Sequence, residues 1–125
     1  MPDTRLSFKD MCARFDVTPR TLRYYEYIEL LHPEKDGRSR YYGSREVARM
    51  KLILRGRRFG FSLEDIRKWL NIYDNQGSET QLKAWVRRAD EQIAVLHEER
   101  RKLDESISDL QKLRDEAAES LKQTG

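Results

Sequence analysis

The chain has 125 residues, 38% charged and 38% hydrophobic, with a formal net charge of +3. That length holds one compact unit plus an extension rather than two full domains, and the polarity points to long solvated helices around a small core. No run approaches the ~20 apolar residues that would cross a bilayer, no secretory apolar region opens the chain, and the single cysteine excludes internal disulfides and multi-cysteine metal sites, which fits a reducing cytoplasm.

Ser7-Phe8-Lys9-Asp10 has the form of a capping box, with a hydroxyl N-cap and an acid three residues later. Phe8, Met11, Cys12 and Phe15 then recur at i, i+3, i+4 and i+7, the apolar face of a short helix. A second helix start follows at once. Thr18 can cap it and Pro19 suits its first position, where no backbone N–H is needed. Only Asp16 and Val17 separate the two, which predicts a helix-turn-helix. His32-Pro33 breaks the helical pattern, Asp36-Gly37 is a hairpin signal and Arg40-Tyr41-Tyr42 suits a strand, so a two-stranded wing is expected between Leu31 and Ser44. Ser44 restarts a helix with Val47, Met50 and Leu54 inward, and Gly60 ends it. Ser62-Leu63-Glu64-Asp65 is a second capping box, and Leu63, Ile66, Leu70 and Tyr73 give the next apolar face.

Residues 74–78 (Asp-Asn-Gln-Gly-Ser) form a polar linker closing a domain over residues 1–73. From Glu79 there is no Pro or Gly until Gly125, and a heptad takes over. Its seam runs Leu82, Val86, Ala89, Ile93, Leu96, Arg100, Leu103, Ile107, Leu110, Arg114, Ala117 and Leu121, all apolar except the two arginines. A helix over 79–121 is about 65 Å long, more than a 73-residue domain can cover, so a second copy is the expected partner and residues 122–125 a tail. In an antiparallel pair whose facing residue numbers sum to 203, Leu82 meets Leu121, Leu96 meets Ile107 and each arginine stem lies along a small or apolar neighbour. The fold expected is therefore mainly α: a winged helix-turn-helix followed by a long antiparallel dimerisation helix.

The charge is divided along the same line. Residues 1–73 carry 16 Lys+Arg against 10 Asp+Glu, and residues 74–125 carry 9 against 12. A basic front and an acidic back suit a nucleic-acid reader on a scaffold. On the second helix Arg20, Arg23, Tyr24 and Tyr27 share one face beside the Thr18 and Thr21 hydroxyls, while Leu22 lies elsewhere. Guanidiniums there can bridge phosphates or grip guanine edges, and the helix N-terminus favours an anion. Arg38, Arg40, Tyr41 and Tyr42 put two guanidiniums and two phenols near the hairpin tip, and Arg55, Arg57 and Arg58 form a third cluster. Each cluster alone is compatible with an ordinary solvated face.

The run from Thr18 to Glu26 (Thr-Pro-Arg-Thr-Leu-Arg-Tyr-Tyr-Glu), then Leu30-Leu31, Arg40-Tyr41-Tyr42 and Gly60-Phe-Ser-Leu-Glu-Asp-Ile66, resembles the MerR family of bacterial transcription regulators. The resemblance spans the first domain nearly end to end. It implies a second helix in the major groove, a wing on the flanking backbone, an antiparallel helix pair joining two readers, and distortion of a promoter for RNA polymerase. By position, Arg23, Tyr24 and Tyr25 match the recognition-helix contacts, and Arg40 and Tyr41 the wing contacts.

The chain departs from the family's metal sensors. The long helix begins Gly77-Ser-Glu-Thr-Gln81 without cysteine, the sequence stops four residues after Leu121, and His32 and His97 stand apart. Neither a metal, a cofactor nor a separate effector domain is expected, and Cys12 is expected in the core. A small-molecule signal is the sensing mode left open, with Trp69, Trp85 and Tyr73 as lining or as simple packing. Two further readings stand beside a promoter regulator: an architectural or excision accessory factor on DNA, and a coiled-coil interaction protein with a merely solvated basic face. Catalysis is not expected, because Glu26, Glu29 and Glu64 have no convergent Ser, Cys or His.

Overall fold

The computed structural model describes residues 5–124; residues 1–4 of the expected first domain and Gly125 of the expected tail lie outside them. The chain divides into two compact units at Leu82–Lys83. The first contains β1 (Leu6–Ser7), α1 (Phe8–Phe15), α2 (Pro19–Tyr27), β2 (Glu34–Asp36), β3 (Ser39–Tyr42), α3 (Ser44–Phe59) and α4 (Leu63–Asn75). The helix α5 (Glu79–Thr124) starts there and makes up the second. Mainly helical, with a small helix-turn-helix, a short antiparallel sheet and one long C-terminal helix, this is the fold class the sequence indicates.

The local signals explain the boundaries. Ser7 Oγ accepts the Asp10 N–H at 3.1 Å, and Thr18 Oγ1 accepts the Thr21 N–H at 3.1 Å, with Pro19 in the first turn. Asp16 ends α1 in the left-handed region (φ 51°), and the Val17 N–H donates to the Cys12 carbonyl at 3.1 Å. At α4 both halves of the capping box are made: Asp65 N to Ser62 Oγ at 3.1 Å and Ser62 N to Asp65 Oδ2 at 3.4 Å. The hairpin turns through Gly37 and Arg38, between the paired residues Asp36 and Ser39, and Gly37 has the positive φ (64°) such two-residue turns require.

Two features were not expected. The wing has a third strand: β1 pairs antiparallel with β3, Leu6 against Tyr42 and Ser7 against Tyr41, giving the order β1-β3-β2. Further on, α4 extends to Asn75, so Asp74 is helical rather than linker.

Met11 of α1, Leu22 of α2, Leu30 and Leu31 after it, Tyr42 of β3, Met50 and Ile53 of α3, and Ile66 and Leu70 of α4 make one fully buried core. Each such aliphatic side chain contributes about 1.5–3 kcal/mol relative to exposure. Ile53 and Leu52 take the inner face of α3 beside Val47 and Met50, while Leu54 is only partly buried. At Gly56 the two long helices of this unit touch closely: a Cβ there would meet Ile66 Cγ1 at 2.7 Å.

Buried charge ties the loops to this core. Arg49 Nε donates to the Leu30 carbonyl at 3.0 Å, and its Nη1 pairs with Asp74 Oδ2. Glu46 Oε2 accepts the His32 N–H at 2.9 Å, and Arg67 donates to the Ile28 carbonyl. The chain leaving α2, where Glu29 adopts φ 63°, is thus fastened to α3 and α4 through its backbone. Unsatisfied carbonyls and amides in such a buried segment would each cost about 1–3 kcal/mol.

Candidate nucleic-acid interface

Helix α2 carries the exposed basic face. Arg20, Arg23, Tyr24 and Tyr27 all reach solvent, whereas Leu22 and Tyr25 point into the core. Thr18 donates its hydroxyl to Thr21 Oγ1 at 2.9 Å, so the positive end of the helix is held by two side chains.

The wing meets this face through α1. Phe8, first residue of α1, has the Arg23 guanidinium 5.4 Å from its ring centre and that of Arg40 at 5.7 Å. An aromatic ring holding two guanidiniums in cation–π contact places both charges on one side of the unit. Around them opens a cleft of about 550 Å³ walled by Phe8, Lys9, Arg23, Arg38, Arg40 and Tyr41. Four cations in one shallow opening make a surface suited to consecutive phosphates. Arg5 lies over the Tyr41 ring at 4.8 Å and pairs with Glu34 at 3.3 Å, which braces the outer strands.

One carboxylate sits among these cations. Glu26 Oε2 accepts the Tyr42 hydroxyl at 2.6 Å, and Oε1 lies 3.5 Å from Arg40 Nε. Burial, and then the hydrogen bond to Glu26, push the Tyr42 phenol far above its ordinary value, so it remains a donor throughout the physiological range.

Comparison with known proteins fits this geometry. A family model described as MerR HTH family regulatory protein matches residues 6–72, and one described as MerR, DNA binding matches residues 47–118. The chain belongs to the MerR family. It is 36% identical over 115 residues to an HTH-type transcriptional regulator of Pseudomonas aeruginosa, covering 88% of this chain and 78% of that one. A MerR family transcriptional regulator from Bacillus cereus superposes with a TM-score of 0.66 at 28% identity, over 83% of this chain and 75% of the other. HiNmlR, a MerR family regulator lacking the sensor domain and crystallised on promoter DNA, shares the fold with a TM-score of 0.63 at 20% identity, over 81% and 80% of the two chains.

As a MerR regulator the protein is a DNA-binding transcription factor, not an enzyme. Of the expected contacts, Arg23, Arg38, Arg40 and Tyr41 converge on the cleft, and Arg20 and Tyr24 lie exposed on the adjoining helix face. Arg57 and Arg58, in the last turn of α3, are exposed but do not line it. Two expectations need correction. Tyr25 is 6% exposed and Tyr42 is wholly buried, so both are core residues rather than members of the exposed face. Helix phase places Tyr25 beside Leu22, and strand pairing to Leu6 turns Tyr42 inward.

Phe8, Lys9 and Glu26 are the members of the site that sequence reasoning did not assign to it. The first two arrive through the β1–β3 pairing, which has no local signature; Glu26 was legible only as one acid on a basic helix. Cys12 is partly buried on the inner side of α1, where burial raises its thiol pKa and Arg23 offsets part of the rise. Among the described residues, no cluster of three His, Cys, Asp or Glu side chains is placed to hold a metal, and no helix is long and apolar enough to cross a membrane.

Proposed function

We propose that the chain works as a homodimer on a pseudo-palindromic promoter operator, setting α2 of each copy in a major groove and the wing on the flanking backbone. It distorts the duplex there so that RNA polymerase engages differently. The observation that carries this reading is the convergence of Lys9, Arg23, Arg38 and Arg40 on one open cleft beside the exposed face of α2. Thr18, Arg20, Thr21, Arg23, Tyr24, Arg38, Arg40 and Tyr41 are the proposed contacts, with Arg57 and Arg58 as outlying phosphate ligands.

The dimer is proposed to form through α5. In the single chain its large apolar seam residues stand exposed, from 38% at Leu96 to 74% at Leu121, and an antiparallel copy would cover them with each arginine stem beside a smaller neighbour. The 1–73 reader, the 74–78 connection, whose first two residues complete α4, and the 79–121 dimer helix are the units of this proposal. A small organic metabolite is the proposed signal, since the sequence offers one cysteine and two well-separated histidines to a metal.

Footprinting of the protein on the DNA upstream of its own gene tests the reading, because it reports site, symmetry and promoter position together. The expected result is protection of a two-fold symmetric site with half-sites about 34–36 Å apart or a multiple of that. Arg23→Ala should weaken operator binding about ten-fold or more, leave sedimentation as a dimer unchanged, and lower the slope of log affinity against log salt by about 2, one unit for each copy. Undiminished operator affinity would remove Arg23 from the interface.

A further inference from the structure

We propose that Glu26 is a positioning residue that sets sequence specificity: its carboxylate fastens the wing strand to α2 and so fixes where Arg40 meets the DNA backbone. The inference rests on the operator reading above and adds to it a residue that faces the polyanion with the wrong sign.

A carboxylate beside Arg23, Arg38 and Arg40 opposes DNA binding by charge alone. Its geometry shows another use. Glu26 is largely withdrawn from water, its side chain 13% exposed, and its two oxygens are engaged by different residues of the same strand. Oε2 accepts from the Tyr42 hydroxyl at 2.6 Å, and Oε1 faces Arg40 Nε at 3.5 Å. Tyr42 is fully buried and paired with Leu6, so this end of the link is anchored in the core. Arg40 and Tyr42 are two apart in β3 and share a face, which lets one carboxylate hold both.

The consequence is a single geometry for the two readout elements. Arg23 on α2 and Arg40 on the wing lie on the same Phe8 ring, and Glu26, one turn beyond Leu22 on α2, holds Arg40 in place. A long arginine side chain otherwise loses substantial rotamer freedom on binding. Held in advance, it presents its remaining N–H groups to a phosphate in one register, and a duplex whose backbone does not match that register gains less. Glu26 thus acts through Arg40 and needs no contact with DNA.

Simple charge and positioning predict opposite results when Glu26 is neutralised, which makes the test decisive. The wild-type protein is used to select a duplex from a random pool, and its affinity for that duplex is compared with a scrambled duplex of the same composition. Glu26→Gln keeps the shape and can still accept from Tyr42 but no longer pairs electrostatically with Arg40. On the scrambled duplex it should bind as well as wild type or up to about three-fold tighter. On the selected duplex it should bind about five-fold weaker, so the ratio of the two falls roughly ten-fold. In an Arg40→Ala background the same substitution should change the ratio less than about two-fold.

Tyr42→Phe removes only the hydroxyl and keeps the ring in the core, so it carries the test if Glu26→Gln fails to fold; it should lower the ratio by a smaller factor with an unchanged dimer. Equal tightening of Glu26→Gln on both duplexes overturns the proposal, as does a ratio loss that persists in full without Arg40. A wild-type protein that enriches no sequence overturns the operator reading and this inference with it, whereas clean selection with an indifferent Glu26→Gln overturns this inference alone.

Discussion

The close approach of α3 and α4 at Gly56 gives a sharp test of how tightly the reader is packed. An alanine Cβ at this buried position would lie 2.7 Å from Ile66 Cγ1, 3.0 Å from Ile66 Cδ1 and 3.7 Å from Trp69 Cζ3. Unstrained carbon contacts begin near 3.5 Å, so the first atom must retreat by nearly an ångström. Ile66 is fully buried and β-branched, with one preferred χ1 in a helix, so it is slow to give way. Overpacking of this kind costs about 1–3 kcal/mol, against about 1 kcal/mol gained from replacing glycine inside a helix. Gly56→Ala is therefore expected to destabilise by up to about 2 kcal/mol, a fall of several degrees in the melting temperature followed by circular dichroism at fixed protein concentration. Ile66→Ala alone should cost about 2–5 kcal/mol, yet the double variant should be less impaired than the two losses added, because removing Cγ1 and Cδ1 relieves both short contacts. A melting temperature at or above wild type for Gly56→Ala, or strict additivity in the pair, would refute the close-packed helix contact.

Other consequences follow from the buried charges and the seam. Asp74→Ala leaves the buried Arg49 guanidinium with only the more distant Glu46 carboxylate, at 4.0 Å, and should cost about 3 kcal/mol in urea unfolding. Arg45 shares the same carboxylate at 3.2 Å but is mostly exposed, so Arg45→Ala should change stability by less than about 1 kcal/mol; equal losses would contradict the burial argument. The raised pKa values of Cys12, Tyr25 and Tyr42 all favour the neutral form in the folded state. Their contribution is complete below the ordinary thiol and phenol values of 9.0 and 10.0 and is lost as pH rises through the higher folded values. A pH series of melting curves should show stability falling above about 9, and native Cys12 should resist alkylation that unfolded protein accepts. For the helix pair, L96C and I107C proteins should each fail to cross-link alone yet form a disulfide-linked dimer when mixed, since the proposed register sets Leu96 against Ile107; cross-linking of either variant with itself would favour a parallel pair.

What the sequence made legible is the short-range chemistry. Thr18-Pro19, Ser62 with Asp65, and Asp36-Gly37 each specify a cap or a turn within four residues, and each forms as expected. What escaped depends on partners far along the chain. The strand Leu6–Ser7 exists because Tyr41 and Tyr42 lie opposite, some 35 residues away, and two residues carry no strand signal of their own. Arg49 and Glu46 look like surface charges on a polar helix; their own pairing, Asp74 and the backbone leaving α2 make their burial tolerable. Tyr25 is the more instructive miss. The spacing from Leu22 already placed it on the inner face of α2, and the resemblance of the surrounding motif drew it onto the DNA face instead.

The same division bears on how affinity arises. A single reader with a handful of phosphate ligands binds DNA weakly at physiological salt, whatever its precision. On the proposed reading, the seam of α5 does for two readers what Glu26 does for two elements within one. Joining the copies makes the second half-site an intramolecular event at an effective concentration set by the connection, and affinity rises without any new contact to DNA. Seam and site should then fail differently. A polar substitution on the seam such as Leu103→Asp should make operator binding depend steeply on protein concentration while leaving the preference for the selected duplex per half-site intact. Glu26→Gln should do the converse, blunting preference at an unchanged dimerisation constant. On this reading specificity is carried by carboxylate and guanidinium geometry inside one reader, and affinity by apolar surface that one chain alone leaves in water.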